Sequence, residues 1–177
     1  MNEFKSDIEE IRRRAMQKIE EGAVTAAYKG DPQKVCDVLN EVLATETVCV
    51  LRYKHHYFMA QGIHASGVEE EFLEHAKDEQ DHADRVAKRI TELGGSPNLN
   101  PEGLATRSHV QYGTGKKLED MIKEDLIAER IAVQTYADII RWLGTDDPTT
   151  RRMMEELLAK EEEHADDMAK LLSRVSK

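Results

Sequence analysis

The chain has 177 residues, a formal net charge of -10, 34% charged residues and 5% aromatic residues. That length suits one domain with a sizeable core, and the composition favours long helices over sheet. The acidic balance makes nucleic acid a poor partner and draws cations instead, so DNA binding is not expected. Cys36 and Cys49 form no Cys-x-x-Cys pair, which argues against a disulfide framework or a zinc ribbon. No apolar run reaches the ~18 residues of a membrane span. The opening MNEFKSDIEE lacks the apolar core of a signal peptide, so a cytoplasmic protein is expected.

Residues 6–21 read as a short amphipathic helix, with Ser6 and Glu9 as a capping box and Ile8, Ile11, Ala15 and Ile19 as a narrow apolar stripe. A connector carries the chain to Asp31-Pro32, a cap followed by proline at the first helical position. The long helix begun there runs to about residue 61 on a seam of Val35, Leu39, Val42, Glu46, Cys49, Tyr53 and Tyr57. After a short turn, Ser66 and Glu69 suggest another capping box. The second long helix reaches about Leu93, with Val68, Phe72, His75, Glu79, His82, Val86 and Ile90 on its seam. Residues 94–114 show no periodicity, and a connection that long can travel the length of a bundle.

The third long helix is expected over residues 115–143, with a seam of Leu118, Ile122, Asp125, Glu129, Ala132, Tyr136, Ile139 and Leu143. Asp147-Pro148 repeats the cap-then-proline signal. The fourth helix follows to about Arg174 on Met154, Leu157, Glu161, His164, Met168, Leu171 and Val175. Residues 1–30 are thus a helix and connector, and residues 31–177 an all-α four-helix bundle. Its connections run short, long, short, which makes the second and third long helices parallel.

Of the seven histidines only His82 and His164 follow a glutamate by three residues. One such pair is weak. The placement is informative, because Glu46, Glu79, His82, Glu129, Glu161 and His164 all fall on seams, each near mid-helix. A buried carboxylate costs several kcal/mol unless paired or metal-bound. No lysine or arginine falls on the seams, so internal salt bridges are not expected. Two divalent cations would balance four carboxylates. Residues three apart share a helix face, so each Glu-x-x-His can aim an oxygen and a nitrogen at one metal pair. That is the pattern of dinuclear carboxylate bundles, suited to iron or manganese before zinc. Glu70, Glu71, Glu155, Glu156, Glu162 and Glu163 read as solvated faces, and His55, His56, His64 and His109 as surface or loop residues. His75 and Asp125, one turn from the cluster, could relay protons or iron or orient its members. Cys49 reads as a small core residue or a redox neighbour of the cluster.

The stretches LNEVLATETVCVLRY, DEQDHADRVAKRI, MIKEDLIAE and MMEELLAKEEEH together resemble the ferritin-like superfamily, and bacterioferritin in particular, over residues 37–172. The resemblance implies a ferritin-like fold with two iron ions per chain, manganese or zinc being alternatives. Glu46 and His82 would serve one iron, Glu129 and His164 the other, and Glu79 and Glu161 would bridge them. Tyr53 falls where the family has a tyrosine beside the site. Gln80 stands where bacterioferritin has its haem-ligating methionine, so no haem is expected. The chain ends soon after the fourth helix and carries an additional N-terminal one. In this it resembles Dps-like miniferritins with a bacterioferritin-type centre, and a cage of twelve chains is favoured over twenty-four. The implied activity is a ferroxidase that oxidises Fe(II) with dioxygen or hydrogen peroxide and stores Fe(III). A non-storing di-iron or di-manganese redox enzyme, catalase- or oxidase-like, would use the same ligands.

Overall fold

The structure, a computed structural model, describes residues 5–61 and 65–175 apart from the Ser66 side chain. The expected Ser66 cap and His64 lie outside these residues. The helices are α1 (Ile8–Ala15), α2 (Pro32–Met59), α3 (Ala65–Glu92), α4 (Leu104–Arg107), α5 (Leu118–Leu143) and α6 (Pro148–Val175), and no strand occurs among the described residues. The two cap-then-proline signals act as read. Asp31 accepts from the backbone N–H of Gln33 at 3.1 Å and Lys34 at 3.3 Å, and Asp147 accepts from that of Thr150 at 2.9 Å.

The termini of other elements differ from expectation. Asp7, not Ser6, caps α1 by accepting from the Glu10 N–H, and the helix stops at Ala15, beyond which Lys18 takes a left-handed conformation. Its stripe stays exposed, with no buried residue in α1; Ile11 and Ala15 meet only the connector at Thr25, Ala26 and Ala27 among the described residues. The third long helix starts at Leu118, three residues later than expected. Gly115 sits at φ 48° just before it, outside the helical region.

Two apolar clusters lie above and below a polar middle. One joins Val35, Leu39 and Val42 to Val86, Ile90, Tyr136, Ile139, Met154 and Leu157. The other joins Tyr53 and Ala60 to Val68, Phe72, Ile122, Met168 and Leu171. Helix α2 runs from the first cluster to the second, α3 and α5 run from second to first, and α6 returns. The expected parallel pair, α3 and α5, follows directly, and the chain between them must cross the whole bundle.

That crossover lies along α2. Asn98 N–H donates to Asn40 Oδ1 at 2.7 Å, His109 N–H to Thr45 Oγ1 at 2.9 Å, and Arg52 Nη1 to the Gln111 carbonyl at 3.0 Å. Val110 tucks under it beside Val48, Cys49 and Ala128. Cys49 is thus a core residue, and both cysteines are free and buried. Gly95 begins the crossing so close to α2 that a Cβ there would stand 2.6 Å from Cys36 Sγ. The short helix α4 within the crossover was not foreseen.

Buried cations correct the sequence reading further. Arg52 is 1% exposed, and its Nε donates to Asp125 Oδ1 at 2.8 Å. His56, expected at the surface, is fully buried with Nδ1 2.8 Å from Asp125 Oδ2. Arg89 donates to Thr150 Oγ1 at 2.8 Å and to Asp147 Oδ1 at 3.1 Å. Tyr28 OH reaches the other Asp147 oxygen at 2.9 Å, tying the N-terminal connector to the bundle.

Candidate metal centre

Each long helix turns its mid-height seam residue inward, and the six expected residues meet there. All are buried, none more than 3% exposed. Their donor atoms form two overlapping quartets, Glu46, Glu79, His82 and Glu161 in one, Glu79, Glu129, Glu161 and His164 in the other, with the atoms of each within 4.8 Å of one another. The members common to both are Glu79 and Glu161. A small divalent cation holds N and O ligands at about 2.1 Å, so ligands on opposite sides stand about 4.2 Å apart, and each quartet has room for one ion.

His82 Nδ1 lies 2.9 Å from Glu161 Oε1 and 3.4 Å from Glu46 Oε2. His164 Nδ1 lies 3.3 Å from Glu79 Oε1 and 3.7 Å from Glu161 Oε2. These approaches are not directed as hydrogen bonds. Glu46 Oε2, Glu79 Oε1, His82 Nδ1, Glu129 Oε2, Glu161 Oε1 and His164 Nδ1 are all buried without a hydrogen-bond partner. One orphan atom per residue, on all six residues, is what a pair of ions would satisfy. The donor set, four carboxylates and two imidazoles, suits iron or manganese.

The charges respond to the crowding. Burial, then the neighbouring Glu79 charge, pushes the Glu46 pKa up to about 8. Burial and the charges of Glu79 and Glu161 raise Glu129 well above the carboxylate range. Burial also opposes charge on Glu79 and Glu161, but their close neighbours, Glu46 or Glu129 and the two imidazoles, hold both below their ordinary value. Burial opposes charge on His82 and His164 as well. The carboxylates around them outweigh it, raising His82 strongly and His164 to about 10. The cation-free centre therefore favours the protonated forms of Glu46, Glu129 and both imidazoles.

Two tyrosines cross-brace the centre. Tyr53 on α2 donates to Glu129 Oε1 on α5, and Tyr136 on α5 donates to Glu46 Oε1 on α2. Tyr53 was expected beside the site; Tyr136 was read only as a seam residue. The missed signal is a repeated spacing, since each tyrosine follows its own helix's glutamate by seven residues. His75 lies beside the centre, its ring stacked on that of His164 at 3.9 Å and its Nδ1 3.1 Å from Tyr53 OH. Burial, then the His164 charge, pushes its pKa down to about 3, so it is neutral. Asp78, also missed, faces His164 Nε2 at 3.2 Å. It precedes the shared Glu79 and orients the ring. Asp125 does not touch the centre and belongs to the Arg52 and His56 group. Gln80 is exposed and donates to Asp84.

A bundle crossed once along its length, with matched halves meeting at a buried carboxylate and imidazole cluster, is a ferritin-like architecture. The chain belongs to the ferritin-like domain family, whose sequence pattern matches residues 36–177. A nutrient stress-induced DNA-binding protein of Synechococcus is 30% identical over 145 residues, 79% of this chain and 81% of that protein. A bacterioferritin of Brucella melitensis is 30% identical over 152 residues, 84% of this chain and 88% of that protein. Among solved structures, a dodecameric thioferritin described as the bacterioferritin-related protein of Bacteroides fragilis superposes with a TM-score of 0.80 at 29% identity, over 84% of this chain and 89% of that one. No helix among the described residues is long and apolar enough to cross a membrane.

Proposed function

We propose that this protein is an iron-storing ferroxidase working as a closed cage of twelve chains in the cytoplasm. The observation that carries the reading is the set of six orphaned buried donor atoms, one on each of Glu46, Glu79, His82, Glu129, Glu161 and His164. Glu46 with His82 holds one Fe(II), Glu129 with His164 holds the other, and Glu79 and Glu161 lie between both. Iron is the substrate. Each Fe(II) gives up one electron, and the pair reduces dioxygen with two protons to hydrogen peroxide, or peroxide with two protons to two waters. Carboxylates favour this direction because hard oxygen ligands stabilise Fe(III) over Fe(II). Tyr53 and Tyr136 fix the rotamers of Glu129 and Glu46, and the apolar clusters on either side keep bulk water out.

Assembly is supported by the dodecameric relative and by the apolar surface of the single chain. Ile8, Ile11, Leu51, Phe58, Ile127 and Trp142 are large apolar residues left exposed. The Synechococcus relative is named for DNA binding. Here residues 1–21 hold five basic against six acidic residues, which gives a phosphate backbone little to bind. A gel shift at moderate salt should show no retardation.

The experiment is Glu46→Ala combined with Glu129→Ala, followed by stopped-flow oxidation of two Fe(II) per chain. The rate should fall at least ~100-fold, in line with the loss of binding and positioning groups. A double variant that still oxidises iron rapidly would place the chemistry elsewhere.

A further inference from the structure

Outside the centre, on the face made by α3 and α6, Glu71, His75 and Asp167 bring three donor atoms within 4.8 Å of one another. Glu71 and His75 are one turn apart on α3, and Asp167 faces them from α6. The carboxylates reach the surface, with the Glu71 side chain 40% and the Asp167 side chain 33% exposed, whereas the His75 side chain is 3% exposed. Glu71, read from the sequence as solvated, therefore stands half-exposed beside a buried imidazole.

The direction of the hydrogen bonds decides what that imidazole presents. Tyr53 has one proton and gives it to Glu129. Its oxygen must then accept from His75, so the His75 proton sits on Nδ1, 3.1 Å away. Nε2 is left with a bare lone pair. It points toward Glu71 Oε2 at 3.9 Å, beyond hydrogen-bond reach, and no other described residue bonds it. Three acceptors face one another with no donor between them.

The neighbouring cations do not fill the gap. Lys170 reaches Asp167 Oδ1 at 3.1 Å but is shared with Asp166 at 2.5 Å and is 55% exposed. Arg174 is the cation felt at Glu71. Burial and the charges of Asp167 and Glu74 outweigh it and leave the Glu71 pKa raised. A groove of about 360 Å³, bordered by Val68, Glu70, Leu171 and Arg174, reaches the cluster at Glu71.

We propose that Glu71, His75 and Asp167 form a third divalent-cation site, mononuclear and adjoining the six-residue centre, that takes a first-row ion such as Fe(II) or Mn(II). Two carboxylate oxygens and an imidazole nitrogen from the protein leave the remaining positions to water, so the ion can exchange. A cation on Nε2 strengthens the Nδ1–H as a donor to Tyr53, and through Tyr53 it touches Glu129. The site's use as a waiting position for iron rests on the ferroxidase reading; its capacity to bind a cation does not.

The test is equilibrium dialysis of metal-free protein against Co(II) in millimolar Mg²⁺, comparing the native chain with Glu71→Gln/Asp167→Asn. Both substituted side chains reach solvent, so the variant should fold, and a melt checks it. The expected result is about three Co(II) per native chain and about two per variant chain. Two in both proteins overturns the third site and leaves the centre standing. One in the native chain and none in the variant upholds the third site and overturns the centre. Three in both overturns the assignment to these residues. In crystals of the native protein soaked in Co(II), an anomalous peak about 2.1 Å from His75 Nε2 is expected, and a map without one counts against the site.

Discussion

Two buried polar groups sit side by side in this bundle, and helices α2 and α5 contribute to both. Helix α2 gives Arg52 and His56 to one and Glu46 to the other; α5 gives Asp125 to the first and Glu129 to the second. In the first, both Asp125 oxygens have a donor at 2.8 Å and Arg52 also reaches the Gln111 carbonyl at 3.0 Å. Its one orphan is His56 Nε2, 3.5 Å from Glu124 Oε2. In the second, every residue carries an orphan. Burial of charge does not by itself mark a functional site. A buried set that is complete without a ligand is structural, and one that is incomplete is waiting for something.

The comparison is broken most forcefully by substituting one carboxylate in each group. Asp125→Asn leaves Arg52 buried beside a neutral amide and should cost about 3–5 kcal/mol in urea unfolding, with or without cations. Glu129→Gln should behave differently. Burial and the charges of Glu79 and Glu161 already favour the neutral form of Glu129 in the metal-free chain, so the neutral amide should change metal-free stability by less than about 1 kcal/mol while stabilisation by added cations shrinks. If both substitutions destabilise the metal-free chain equally, the two groups do not differ as described.

Protons sharpen the same contrast. Without cations the shifts favour protonated Glu46, Glu129, His82 and His164, so binding of two dications should release protons at pH 7. Calorimetry in buffers of different ionisation enthalpy counts them. The stability follows in sign. The folded chain holds the Glu46 proton up to about 8, against an ordinary 4.5, so the unfolded chain binds fewer protons in that window and metal-free stability falls as pH rises through it. His164 acts in the same direction from 6.5 to about 10. Melting of the metal-free chain should therefore drop between pH 5 and pH 9, whereas cation-loaded protein, whose ligands are already deprotonated, should hold steady.

The smallest effects come from the braces. Tyr53→Phe and Tyr136→Phe each orphan one more carboxylate oxygen, and each should cost about 1 kcal/mol by thermal melting. Similar losses would reflect the matched halves. A Tyr136→Phe with no effect would mean that its bond to Glu46 does not hold that side chain.

The sequence made one of these groups far easier to foresee than the other. Glu46, Glu79, His82, Glu129, Glu161 and His164 announce themselves by interrupting apolar seams at the three-and-four spacing. Arg52 and His56 lie off that seam. Arg52 is covered by the crossover around Gln111, and burial supplied by a loop leaves no periodicity to read. Tyr136 was visible as a residue but not as a partner, because its hydroxyl bond spans two helices and only the fold brings Glu46 to it. The long helices were legible through Asp31-Pro32 and Asp147-Pro148, where the proline fixes the first turn. The N-terminal helix is shorter than its stripe suggests because, among the described residues, the stripe buries no side chain in the bundle.

The most direct test of the central claim is aerobic Fe(II) addition to metal-free protein, from two ions per chain to a large excess, with oxidation followed by absorbance and iron then assayed across a sizing column. Fast oxidation, with the excess iron co-eluting with a large particle, is the predicted result. Slow oxidation at two ions per chain would contradict the ferroxidase assignment, and fast oxidation with the excess precipitating outside a small oligomer would contradict storage.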